Sequence, residues 1–233
     1  MNEVENEIFN LKPNTSTPSG NISASLLKKH NDICSEFLLN IINCGIATST
    51  FENGMKLADI TPIPKDGQSV YKEKFRPISI LPPGSKVFER ILHKQISNHI
   101  ETYLSSYLCG YRKCYCAQYA ILTLLEKWRV ALDNKGYGGA ILMDLSKAFD
   151  VLNHELLIAK LNAYGFSHSS LKLLFSYLTD RWQRTKINYT YSSWTEIIQG
   201  VPQGSILGPL IFNIYLNDLF YLDNTHDINV MRV

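Results

Sequence analysis

An α+β fold is predicted by three features of this 233-residue sequence: apolar stripes at helical spacing, a few short runs of strand character, and the scattering of those runs among the helices. With 45% hydrophobic residues the chain is long enough to bury a substantial core. Its 13 glycines and 9 prolines follow no period, which excludes collagen-like and low-complexity classes. No linker cleanly separates two domains. The expected organisation is a polar N-terminal segment over residues 1–22, one main domain over 23–220 and an irregular tail over 221–233.

The opening residues to Ser23 are polar, and the Asn/Thr/Ser/Pro/Gly run from Pro13 to Asn21 reads as a loop. Leu26/Leu27, Ile33/Cys34, Phe37/Leu38 and Ile41/Ile42 then predict an amphipathic helix from about Ser23 to Asn43. Lys56 to Pro64 alternates and holds two prolines, as a short edge strand would, and Lys65 to Gln68 supplies a tight turn. A helix from Ser85 to Leu104 shows Val87/Phe88, Ile91/Leu92, Ile96 and Ile100 on one face. Another from Cys116 to Leu132 carries the stripe Ile121, Leu124/Leu125, Trp128 and Leu132. Ala140 to Met143, wholly apolar after Gly138-Gly139, reads as a buried strand ending at Asp144. Helices follow at His154 to Tyr164, closed by Gly165, and at Ser169 to Thr179. Thr185 to Thr190 and Trp194 to Ile198 suggest a hairpin, Gly200 to Gly208 a Gly/Pro loop, and Leu207 to Leu219 a last helix.

A formal charge of +2 implies no polyanionic partner by itself, so any grip on nucleic acid must come from local clusters of Lys and Arg. No stretch approaches the roughly 18 uncharged apolar residues that a membrane helix needs. Met1 to Asn10 carries three Glu and no basic residue, unlike a secretory or transit signal. Five cysteines, an odd count, point to reduced thiols and to the cytoplasm or nucleus. Cys109, Cys114 and Cys116 lack CxxC spacing and a nearby fourth ligand, so they read as incidental thiols rather than zinc ligands.

Several residues are candidates for chemistry. A carboxylate at the C-terminal end of a buried strand, Asp144, is well held for a divalent metal, although it would also serve as a simple turn cap. An aspartyl-phosphate site would want a second Asp where Ser146 stands. Gly200 to Gly208 is no P-loop, since no Gly-Lys-Ser/Thr follows it. It is either a plain turn or a platform on which Gly204 admits a close ligand and Gln203 offers amide hydrogen bonds. Lys65 and Arg76 are either surface charges or a pair converging on phosphates. Tyr111, Arg112 and Lys113 mix cations with aromatics, a combination suited to single-stranded nucleic acid and equally to an ordinary helix approach.

The order and spacing of these motifs carry more than any one of them. Pro64-Lys65 and Phe75-Arg76-Pro77-Ile78-Ser79 come first, followed by Gly110-Tyr111-Arg112. Asp144-Leu145-Ser146-Lys147-Ala148-Phe149-Asp150 and Gln199-Gly200-Val201-Pro202-Gln203-Gly204-Ser205 complete the set. Together they resemble a reverse transcriptase, specifically the non-LTR (LINE-type, jockey-like) retrotransposon polymerases, from about Phe9 to Asp218. The resemblance implies a right-hand polymerase of fingers and palm that copies RNA into DNA with two Mg²⁺ ions, using an RNA template, a DNA primer and deoxynucleoside triphosphates. By motif, Asp144 would be the catalytic carboxylate and a metal ligand, joined by the Leu145 carbonyl. Phe149 would be the steric gate that selects deoxynucleotides. Lys65 and Arg76 would meet the triphosphate, Gln203 and Gly204 would line the nucleotide, and Tyr111, Arg112 and Lys113 would touch nucleic acid.

The sequence also departs from that family. The Tyr/Phe-x-Asp-Asp expected shortly after Leu219 does not occur, and no Asp-Asp pair exists anywhere in the 233 residues. An incomplete palm, no thumb and no activity of the chain alone are therefore expected. A non-catalytic module holding RNA or an RNA–DNA hybrid is the alternative.

Overall fold

The computed structural model describes residues 3–65, 71, 74–145 and 147–221. The expected turn after Lys65 and most of the expected tail lie outside them. The described residues are a mixture of helices and one mixed sheet, as an α+β fold requires. Residues 3–9 of the polar opening form a helix, α1 (Glu3–Phe9), because Val4 and Ile8 fall on one side of it and are buried. The helix expected from Ser23 is two helices, α2 (Ala24–Lys29) and α3 (Asn31–Thr48), parted at His30. The Ser23 hydroxyl accepts the Leu26 N–H and starts α2, as an N-cap should.

Strands β1 (Leu57–Pro64) and β2 (Phe75–Ile80) pair antiparallel. β1 is not an edge strand, because its first half also runs parallel to β3 (Arg181–Ile187), from Leu57 opposite Trp182 to Ile60 opposite Thr185. Its prolines explain how both readings arise. Pro62 and Pro64 lie beyond the β3 pairing, opposite Pro77 and Phe75 of β2 alone, where a missing N–H costs no second ladder. β3 then pairs antiparallel with β5 (Thr195–Ile197) along its first half and with the short β4 (Thr190–Tyr191) at its end. The expected hairpin is therefore present, with its first strand beginning four residues earlier than the β-rich composition suggests.

Helices α4 (Pro83–Ile100), α5 (Ala117–Asp133), α6 (His154–Ala163), α7 (His168–Leu178) and α8 (Leu207–Leu216) fall close to their expected positions. Gly165, at φ +80°, ends α6. The core joins α1, α3, α4, α6, α7 and α8, with Phe51 stacked on Phe88 at 4.8 Å and set edge-on to Tyr177 at 5.1 Å.

Two expectations fail together. Residues 140–143 are not a buried strand: Ile141 and Leu142 are 90% and 94% exposed. A strand needs a neighbour to take its N–H and C=O groups, and among the described residues none lies beside this run. The apolar stripe of α5 is only partly covered, with Leu124 and Trp128 half-buried. Ile121, Leu125 and Leu132 are exposed, and Ala120 is the buried residue of that helix. Among the described residues no helix is long and apolar enough to cross a membrane.

Candidate functional site

The loop between β5 and α8 is fastened by several hydrogen bonds to distant parts of the chain. Gly200 donates its N–H to the Leu152 carbonyl, and Val201 donates to the Phe149 carbonyl, each at 2.8 Å. The Gly200 carbonyl lies 2.7 Å from His154 Nε2 in a buried contact. A carbonyl only accepts, so this network assigns the imidazole proton to Nε2. The Gln203 amide nitrogen donates to Asp150 Oδ1 at 3.1 Å, and the Gln203 carbonyl accepts the Ser79 N–H of β2 at 2.7 Å. The loop is thus fastened on one side to residues 149–154 and on the other to the free edge of β2.

Glycine is required at two of its positions. Gly200 has φ +82°, and a Cβ there would come within 2.6 Å of the Phe149 carbonyl oxygen. Gly204 has φ +120°, and its Cβ would meet the Ser79 carbonyl oxygen at 2.8 Å. Both are close approaches of backbone to backbone.

Phe149 stands where these segments meet. Its ring lies 4.9 Å from Phe212 of α8 and 6.2 Å, edge-on, from Tyr111. Tyr111 itself is exposed and holds a left-handed φ of 56°. Four of the sequence candidates, Tyr111, Phe149, Gln203 and Gly204, are therefore brought together. Arg76 is exposed on β2 across from Ile63, three residues from the Ser79 anchor. Lys65 is exposed just past β1, and its N–H continues the ladder to the Lys74 carbonyl at 2.8 Å. By strand alternation Lys65 follows Ile63 onto the face that carries Arg76. Two like charges on one face of a ribbon repel each other unless an anion sits between them.

Asp144 and Leu145 are exposed in the irregular stretch before Phe149 and are not held at a strand end. Among the described residues no three His, Cys, Asp or Glu side chains come together to hold a metal ion. Asp144 and a carbonyl from Leu145 do not make a site for two ions, which needs several carboxylates to offset the charge. The described residues thus do not by themselves fit a Mg²⁺ pair.

Arg112 also departs from its expected role. Its side chain is only 6% exposed, ion-paired to Glu101 at 2.7 Å, hydrogen-bonded to the Ser105 and Leu108 carbonyls and stacked on Tyr115 at 4.1 Å. A guanidinium spent this way locks the turn before α5 and is not free to grip a nucleic acid. Lys113 beside it is exposed. Arg112→Ala should therefore lower stability by about 2 kcal/mol in urea denaturation, since it removes the ion pair to Glu101, takes its donor from the Leu108 carbonyl and leaves the Ser105 carbonyl only the Leu108 N–H, whereas Lys113→Ala should stay within about 0.5 kcal/mol of the parent. Equal effects of the two would contradict this assignment.

Sequence reasoning missed Glu89, Asp150 and His154, which anchor the loop. Asp150 lay inside a quoted motif, but nothing in spacing or charge marks the buried Glu89.

Residues 63–232, most of the chain, match the family profile described as "Reverse transcriptase (RNA-dependent DNA polymerase)". The chain belongs to the reverse transcriptase family. Every candidate above lies within the matched span. The chain is 33% identical over 187 residues to "Probable RNA-directed DNA polymerase from transposon BS" of Drosophila melanogaster, an alignment covering 78% of this chain and 20% of that protein. It is 26% identical over 226 residues to "RNA-directed DNA polymerase from mobile element jockey" of Drosophila funebris, covering 94% of this chain and 24% of that relative. This is a reverse transcriptase domain of the non-LTR, jockey-like kind, and it spans about a fifth to a quarter of the length of these curated relatives.

Proposed function

We propose that this chain is the nucleotide- and template-holding part of an RNA-directed DNA polymerase of a mobile element. The sheet with its β1–β2 ribbon serves as fingers, and the helices around Phe149 form part of a palm. The observation that carries the reading is the loop 200–205 fastened at once to Phe149–Asp150 and to Ser79, since this makes one floor from three separate motifs. On that floor Gln203 and Gly204 would face the nucleotide, and the Phe149 ring, backed by Phe212, would stand against its sugar. Lys65 and Arg76 would meet phosphates, and Tyr111 with Lys113 would meet a nucleic-acid strand.

The metal-site geometry favours a second feature of the reading. Among the described residues Asp144 lacks the further carboxylates that a metal pair needs, and on this reading the chain holds a primer–template without extending it. The test is fluorescence anisotropy of a labelled RNA–DNA primer–template at increasing KCl. Affinity should fall steeply with salt, as phosphate contacts dictate. Arg76→Ala should weaken binding about tenfold, a loss of ~1.4 kcal/mol, and flatten the salt slope by about one unit. Asp144→Ala should change nothing in this assay. Salt-insensitive or absent binding would overturn the proposal, and templated incorporation that Asp144→Ala abolishes would overturn its non-extending part.

A further inference from the structure

Glu89 lies on the inner face of α4 and is fully buried. A carboxylate is costly to bury unless its oxygens are satisfied, and these are. Oε1 accepts the Ser85 hydroxyl at 3.1 Å, one turn earlier on the same helix. Oε2 accepts two backbone N–H groups, from Ile206 at 2.7 Å and Leu207 at 3.2 Å. Those two residues are the junction at which the loop becomes α8.

The opening of α8 is accounted for donor by donor. Ile206 and Leu207 give to Glu89, Gly208 gives to Ser205 Oγ at 3.1 Å, and Pro209 has no N–H to give. No side chain of the N-cap residue Ile206 contributes. The negative charge also sits where the helix dipole favours it. The apolar faces of α4 and α8 also pack against each other within the common core, independently of this carboxylate. What the carboxylate adds is the position of the junction. Ile206 is three residues from Gln203, whose carbonyl and side chain are the contacts to Ser79 and Asp150.

We infer that Glu89 is a positioning residue, which fixes the C-terminal end of the 200–208 loop and thereby the placement of Gln203 and Gly204. The inference rests on the proposed role of that loop in holding nucleotide and template. Its test combines hydrogen–deuterium exchange with primer–template binding in the full 233-residue chain. In Glu89→Ala, exchange should accelerate about tenfold across residues 200–208 and stay at the parent rate in α1 to α3. The primer–template Kd should rise about tenfold. Glu89→Gln keeps one acceptor oxygen and should fall between parent and alanine in both readouts.

Unchanged exchange in the loop, with Kd unaltered, would overturn the inference. Exchange rising uniformly over the whole chain would do so too, because it would mean that the carboxylate only supports the core. Should Glu89→Ala fail to fold, Glu89→Gln decides by the same two criteria. Should the parent bind no primer–template, the proposed function fails, and the exchange pattern alone decides whether Glu89 sets the loop.

Discussion

Replacing Gly200 by alanine should cost about 3 kcal/mol and lower the thermal midpoint by about 5–10 °C. Three terms add. An L-residue at φ +82° costs ~1–2 kcal/mol relative to glycine. The new Cβ would stand 2.6 Å from the Phe149 carbonyl oxygen and 2.7 Å from that of Asp150, both backbone atoms that cannot swing aside. Relief of that clash must lengthen the Val201–Phe149 and Gly200–Leu152 hydrogen bonds, worth about 1 kcal/mol each. Because those bonds form the floor of the candidate site, primer–template affinity should collapse as well, even at temperatures where the variant stays folded. Thermal denaturation by circular dichroism checks the first effect, and anisotropy at low temperature checks the second. A midpoint within 2 °C of the parent would show that the loop yields and that the glycine is not required.

The elements whose periodicity is local were legible in the sequence. The stripes of α4, α6 and α7 and the glycine after α6 depend on neighbours three or four residues away, and they stand close to where they were expected. What was not legible depends on partners distant in the chain. Ala140 to Met143 has the composition of a buried strand, yet composition says nothing of whether another strand lies alongside, and none does among the described residues. β1 was read as an edge strand from its prolines because the parallel contact to β3 lies more than 100 residues away in sequence. Motif order singled out Phe149, Gln203 and Gly204, and the fold brings their segments side by side. Arg112 was misplaced because its partners are the Ser105 and Leu108 carbonyls, and backbone acceptors leave no mark on a sequence. Glu89 was invisible for the same reason, since its partners are backbone N–H groups.

Phe88→Ala should be the most destabilising single change in the core, by about 3–5 kcal/mol. The side chain is fully buried on α4, stacks on Phe51 and contacts the aromatic group that Tyr177 completes. Truncation removes the ring's transfer free energy and leaves a cavity walled by rings, which collapse poorly because each is held by the others. Loss of the offset stack adds to this, about 0.5–1.5 kcal/mol beyond area alone. Phe88→Leu, which refills most of the volume, should recover about half of the loss in urea denaturation. The decisive comparison is with Gly200→Ala. Phe88 makes none of the loop's own hydrogen bonds, although its neighbour Glu89 holds the junction to α8. Phe88→Ala at a temperature where it is still folded should therefore bind primer–template within about tenfold of the parent, whereas Gly200→Ala should lose more. If both variants lose binding in proportion to their stability, the loop has no role of its own, and the site is only as specific as the fold that carries it.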